Sequence, residues 1–425
     1  MKKIAVIFMF LICAMSSVYA NEVVVDTYES QDGIEIISYV ENWKGDKLIE
    51  VYEELLKNKH GDEIEYLDRV NLYPGESPNG NEEGIYFYTL KKLKLLGSTS
   101  IEMEKGSHID IYNMNEKNKV EDFARVLSHE YGHHFTIYYL AKNDKNFFID
   151  WTKSDFYKVR QGGVYEQMES GSGVDHKWLI EEICAEDYVQ IYGSLTGKIP
   201  VDVFDIEDKR NMNVLEEDQS YTSSAYNIIP QENMEIGLAA ENPNVLNYWS
   251  DLSGIAPDVE IYSIPEITLG SRNEYERGYY SQIISWTGSY TEYGDEAKAY
   301  TLVAFDKSGK WFLPIKTVYK GEAKEAVVGT VMVQDNGRKK YYTDTFLGED
   351  LKLAVVAVGN RGEAVSSGDY VFNAEDGVLS FEGQEDLEIV YSEMEIKTEK
   401  GIQEWIIEFL DGIMYRFFNL LEKIK

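Results

Sequence analysis

Apolar positions recur with a mixed strand and helix pattern up to about Gly254, and with short alternating runs beyond it. In the first part, alternation predicts strands at Ile34–Tyr39, Ile64–Leu72, Ile85–Leu90 and His108–Tyr112. Leu48, Val51, Tyr52, Leu55 and Leu56 share one face of a predicted helix over Asp46–Lys57. A second helix follows from Val120, Ala124, Leu127, Tyr131 and Tyr138, with Asn118 and Glu121 spaced as a capping-box variant. A third runs from Trp178 to Tyr192, with Asp175 as cap and Gly193 as stop. After Gly254 the predicted strands are Val259–Ser263, Ser281–Trp286, Ala299–Phe305, Lys316–Tyr319, Ala326–Val333, Leu351–Val358 and Gly368–Phe372. The last segment, Gly401–Lys425, places Ile402, Trp405, Ile406, Phe409, Ile413, Phe417, Leu420 and Ile424 on one helical stripe.

These patterns predict an α+β domain over residues 21–254, an all-β sandwich over 255–375 and a C-terminal extension over 376–425 with an amphipathic helix. Residues 1–20 read differently. Lys2 and Lys3, an apolar run from Ile4 to Met15 and Val18-Tyr19-Ala20 form an export leader with cleavage after Ala20, which predicts a secreted, extracellular protein. The run is too short to span a bilayer, and Ile12 before Cys13 is too bulky for a lipoprotein signal. Without the leader Cys184 is the only cysteine, so no intrachain disulfide supports the fold. Cys184 shares an apolar stripe with Ile180, Tyr188 and Ile191.

The net charge of −34 argues against nucleic acid as a partner, which needs a basic footprint. It also argues against the terminal helix binding anionic lipid, since Glu404, Glu408, Asp411 and Glu422 outnumber its cations. No transmembrane segment is expected, and no calcium-loop pattern is present.

The chemistry concentrates in His129-Glu130-Tyr131-Gly132-His133, in a chain with only six histidines. On a helix, residues four apart emerge from one face, so His129 and His133 can grip one metal ion. Glu130 lies beside that face, where its carboxylate can accept a proton from a water activated by zinc, Zn2+. Gly132 weakens the helix, which implies a close neighbour there. A third ligand is sought on the helix at 178–192. Glu182 and Glu186 share a face, and an opposing cation would offset the cost of burying both. Glu182 would bind the metal and Glu186 would accept the ring N–H of a ligating histidine. Glu181 competes with Glu182 for the ligand role but has Ala185 at the next turn, and an exposed acidic face is the alternative. A group that stabilises the oxyanion is expected near the metal. His176 is the first candidate and Tyr165 the second. Phe147, Phe148, Trp151 and the glycines at 162–163 and 171–173 suggest a mobile rim to the cleft.

His129-Glu130-Tyr131-Gly132-His133 with Glu182-Ile-Cys-Ala-Glu186 resembles the gluzincin branch of the zincin metallopeptidases, closer to the anthrax lethal-factor type than to thermolysin. The resemblance implies a zincin-like catalytic domain, His129, His133 and Glu182 as ligands, Glu130 as general base, and a strand at Ile109–Tyr112 that pairs with extended protein or peptide substrate. Thr136 and Tyr139 stand where a metzincin would have its glycine and third histidine, which excludes that branch. Ile283–Trp286 and Ala357–Gly362 resemble the second and sixth strands of a fibronectin type III or Ig-like domain, although Leu351 stands near the place of its corner tyrosine. Such a module would present the catalyst to a cell-surface or extracellular ligand, leaving all the chemistry within residues 21–254. The rival reading is an extracellular surface-binding protein or adhesin whose metal site is structural or inactive.

Overall fold

A computed structural model of the protein describes residues 23–383, apart from 79, 81, 96–97, 166, 172–173, 199–200, 203–212, 215–227, 258, 276–277, 307–311, 336–337, 344–349 and 376. The expected leader, its cleavage position and the amphipathic helix at 401–425 lie outside the described residues.

The architecture is mixed α+β, with several sheets and few helices. The first sheet contains β1 (Asp26–Glu29), β2 (Glu35–Ser38), β3 (Leu67–Leu72), β4 (Gly84–Phe87) and β7 (Ser107–Ile111), in the order β1-β2-β3-β7-β4. Strands β2, β3 and β7 run parallel, while β1 and β4 join antiparallel at the two edges. A separate hairpin, β5 (Leu90–Leu95) with β6 (Ser98–Met103), is absent from the expected elements. Its Leu-Lys-Lys-Leu-Lys-Leu strand breaks the alternation by which a strand is recognised.

Helix α1 (Asp46–Lys57) has the expected bounds, and Leu48, Val51, Tyr52 and Leu55 are buried. Helix α2 (Ala124–Asn143) begins later than an Asn118 cap predicts. Asp122 closes the preceding turn, its Oδ2 accepting from the backbone N–H of Asn118 at 2.8 Å and Lys119 at 3.2 Å. Leu127, Tyr131, Phe135 and Leu140 are all fully buried, so α2 is the central element of its core rather than a helix with one wet face.

Helix α3 (Asp155–Val159) follows, and helix α4 (Ile180–Tyr192) is preceded by a 3-10 turn at His176–Trp178. Asp175 makes no side-chain cap to that turn. Of the expected rim aromatics, Phe147 is buried, and Phe148 and Trp151 are partly buried against the same core. Phe156, not among them, packs on Tyr248 and Trp249 of helix α5 (Pro243–Ser253). Asn242 caps α5 by accepting from the N–H of Asn244, and Gly254 ends it at φ +74°.

Three short strands, β8 (Val201–Asp202), β9 (Asn213–Val214) and β10 (Ile228–Ile229), precede a two-sheet module. One sheet of the module holds β11 (Ile267–Glu274), β12 (Tyr280–Trp286), β15 (Glu325–Asp335) and β16 (Arg338–Thr343). The other holds β13 (Ala299–Asp306), β14 (Phe312–Tyr319), β17 (Leu351–Val358), β18 (Ala364–Ser366), β19 (Asp369–Asn373) and β20 (Val378–Gly383). Ile284, Trp286 and Val328 from the first sheet meet Leu302, Leu353 and Val355 from the second in one apolar core. Instead of a strand at Val259–Ser263 there is a single bridge between Tyr262 and Thr291. The sheet also continues through β20, past the expected end at residue 375.

The change of texture at Gly254 does not separate the packing. Strand β9, from before it, pairs with β16 of the module through Val214 and Tyr342. Among the described residues no helix is long and apolar enough to cross a membrane.

Candidate metal centre

Gly132 is the point at which α2 and α4 touch. A Cβ there would lie 2.9 Å from Ala185 O and 3.2 Å from its Cα, so only glycine allows the two helices this close. That approach brings Glu182 under the two histidines. His129 Nε2 and His133 Nε2 lie 3.0 and 3.1 Å from one oxygen, Glu182 Oε2. All three donor atoms lie within 4.8 Å of one another and could hold a metal ion. Metal–ligand bonds of about 2.0–2.2 Å at tetrahedral angles separate donors by about 3.4 Å, so the spacing and the N, N, O donor set suit a small divalent cation.

Glu186 lies behind His129. His129 Nδ1 and Glu186 Oε1 are 2.8 Å apart, which fixes the ring with Nε2 towards the cluster. Arg125, one turn before His129, donates to the other oxygen, Glu186 Oε2, and reaches Pro230 O at 3.4 Å. Burial works against the charge on Glu186, but Arg125 and then His129 outweigh it and hold the carboxyl down at about 2. Burial likewise opposes ionisation of Glu182, and the two histidines overcome it, leaving its pKa well below the usual carboxylate range. His129 is held well above its ordinary value: burial opposes its charge, and Glu182 and Glu186 reverse the balance. Glu181 points elsewhere, its Oε1 accepting from Ser170 Oγ at 2.9 Å.

Comparison with protein-family models, with curated proteins and with solved structures finds no match. The functional reading therefore rests on this geometry.

Glu130 is buried beside the cluster without belonging to it, and burial raises its pKa. Gly84, the first residue of β4, packs on it: a Cβ at Gly84 would sit 2.6 Å from Glu130 Cγ and Oε1. The strand expected to pair with substrate, Ile109–Tyr112, has no open edge, because β7 is flanked by β3 and β4. The edge of the sheet next to Glu130 is β4 itself. It is tied to α2 by His134, whose pKa burial lowers to about 4, so the ring is neutral. Its Nε2 donates to Glu63 O at 2.8 Å, which leaves Nδ1 to accept from Tyr86 Oη at 2.8 Å.

His176 is brought to the cluster and remains half exposed. Its Nε2 lies 3.4 Å from Glu182 Oε2, and its Nδ1 is 2.9 Å from Glu232 Oε2. The Glu232 bond and, against burial, the charge of Glu182 raise its pKa to about 9. Tyr165 packs instead towards Trp178, with 6.1 Å between ring centroids. A small, partly open cleft lies beside Glu182 and Glu186, walled by Lys177, Gln231, Glu232 and Ile236 among others.

Three participants were not among the expected residues: Arg125, Gly84 and Glu232. Arg125 carried a usable signal, since it stands one helical turn before His129. Gly84 and Glu232 reach the site through tertiary folding alone, and no local pattern marks them.

Proposed function

We propose that the protein is a secreted zinc-dependent endopeptidase of gluzincin type, hydrolysing peptide bonds in a zincin-like domain, with a fibronectin type III-like sandwich as its C-terminal module. The observation that carries this reading is the convergence of His129, His133 and Glu182, with Glu130 buried next to them and outside the donor set. A structural zinc site usually closes with four protein ligands, whereas among the described residues this group has three. A structural site would also have no use for a carboxylate held beside it. A bound zinc ion would supply Lewis acidity, polarising the scissile carbonyl and acidifying water.

The chain's own residues divide the remaining work. Glu130, its pKa raised by burial, accepts the proton of the attacking water and returns it to the leaving amine. His176, held by Glu232, donates to the oxyanion as it forms. Strand β4, the edge of its sheet among the described residues, offers backbone hydrogen bonds to an extended peptide, in the manner of an added strand. Gly84 keeps that edge close to Glu130. The strand orders β11-β12-β15 and β14-β13-β17-β19 support the fibronectin reading of the module. The residue 1–20 pattern supports secretion.

The test combines metal analysis with profiling of cleaved peptides, with and without chelator. Purified protein should hold about one zinc per chain. Glu130→Gln should retain that zinc while hydrolysis falls by about 10²- to 10⁴-fold. Undiminished cleavage by Glu130→Gln, or metal that binds without any chelator-sensitive cleavage, would leave the structural-site reading in its place.

A further inference from the structure

One segment of chain, residues 230–241, belongs to both halves of the molecule. Its inner side faces the metal centre. Gln231, Glu232, Asn233 and Ile236 wall the cleft, and Glu232 holds His176. Arg125 and Arg160 reach its backbone at Pro230 O and Gly237 O, while also pairing with Glu186 and Asp187 of α4. Gln190 of α4 donates to Gln231 Oε1 at 2.6 Å, and Lys177 pairs with Glu235. The segment is thus fastened to the elements that carry the ligands.

Its outer side is fastened to the two-sheet module. Leu238, 2 % exposed, and Met234 pack on Val303, Phe305, Ala354, Val356 and Val358. These residues occupy the faces of β13 and β17 that point away from the module's own core, where Leu302, Leu353 and Val355 lie. Both faces of the sheet are therefore covered, and β17 is buried along nearly its whole length. Glu241 accepts from the backbone N–H of Ser366 in β18. Nearby, Gly362 at φ +87° seats against Lys198, whose own Cβ leaves no room for a Cβ there.

We infer that the two-sheet module is a structural part of the metal centre: through Leu238 and Glu241 it fixes segment 230–241, and this in turn positions Glu232 with His176 and braces Arg125 against Glu186. A tether that only raised local substrate concentration would have no need of this buried contact. Leu238 is a positioning residue, since it touches neither the donor set nor Glu130.

The two faces of β17 provide a matched test in the full chain. Val356→Ala removes apolar contact on the face against the segment, and Val355→Ala removes the same group from the module's own core. Amide exchange over residues 231–237 and competition of a chelator for zinc are measured for both, together with Leu238→Ala and Leu238→Met. Val356→Ala and Leu238→Ala should each speed exchange across 231–237 and lower zinc affinity, both by about tenfold, with Leu238→Met restoring most of the loss. Val355→Ala should leave both readouts near the wild-type values. Equal effects from Val355→Ala and Val356→Ala, or unchanged exchange in both Val356→Ala and Leu238→Ala, would overturn the inference. Exchange registers the coupling whether or not the chain is a zinc peptidase, so a failure of that reading remains separate.

Discussion

His129 is gripped from two directions, by Glu182 at Nε2 and by Glu186 at Nδ1, and Glu186 is itself gripped by Arg125. Removing a member of this chain should have graded effects. Glu182→Ala should release zinc at chelator concentrations where Glu181→Ala retains it, because Glu181 is turned towards Ser170. Equal metal loss from the two variants would mean that α4 presents a different face in solution. Glu186→Ala should weaken zinc binding by about 10- to 100-fold without abolishing it, since the ligand remains but its ring is no longer oriented. Metal competition titrations separate these cases. Most of this residue-level arrangement is legible in the sequence, because each helix carries its pair of functional groups at a four-residue spacing. What is not legible is how Gly84 and Glu232 enter, as they come from an edge strand and from a segment with no periodic signature.

Between elements, the decisive contact is that of α2 with α4 at Gly132. Gly132→Ala puts a methyl carbon 2.9 Å from Ala185 O, and neither helix backbone can yield without separating the histidines from Glu182. Overpacking of this kind should cost about 1–3 kcal/mol. Thermal melting should show the lost stability, and the same variant should bind zinc more weakly. An exposed helical glycine would be stabilised by alanine, so a raised melting temperature would show that the helices are not in contact there. The helices are readable because their periodicity is long and strong. The β5–β6 hairpin is not, as its lysines interrupt the alternation, and which of β4 and β7 forms the sheet edge beside Glu130 cannot be told without knowing the strand order. The unbroken run Ala354-Val355-Val356-Ala357-Val358 did hold a signal. A strand that shows one face to solvent alternates, and this one does not, which marks a sheet covered on both sides.

Across the whole molecule, the contact between segment 230–241 and the module carries a titratable group. Burial pushes the Glu241 carboxyl up to about 8 from an ordinary value of 4.5, against the lowering effect of its Ser366 bond. The folded protein therefore keeps a proton that the unfolded chain gives up near 4.5, so stability falls as pH rises from there through about 8. Melting temperatures recorded from pH 5 to 9 should decline across this window, and Glu241→Gln should flatten the decline. An unchanged slope in that variant would assign it to other groups. The Glu241–Ser366 bond also spans 125 residues of sequence. As the chain emerges from the ribosome, Glu130, both histidines and Glu182 are made well before the strands that fix segment 230–241. Under the function proposed above, cleavage competence would come as one of the last events of folding, since a nascent or truncated chain carries Glu130, both histidines and Glu182 without the wall that aligns them. On the same reading, the order of synthesis would itself delay proteolysis until the chain is made as far as Ser366.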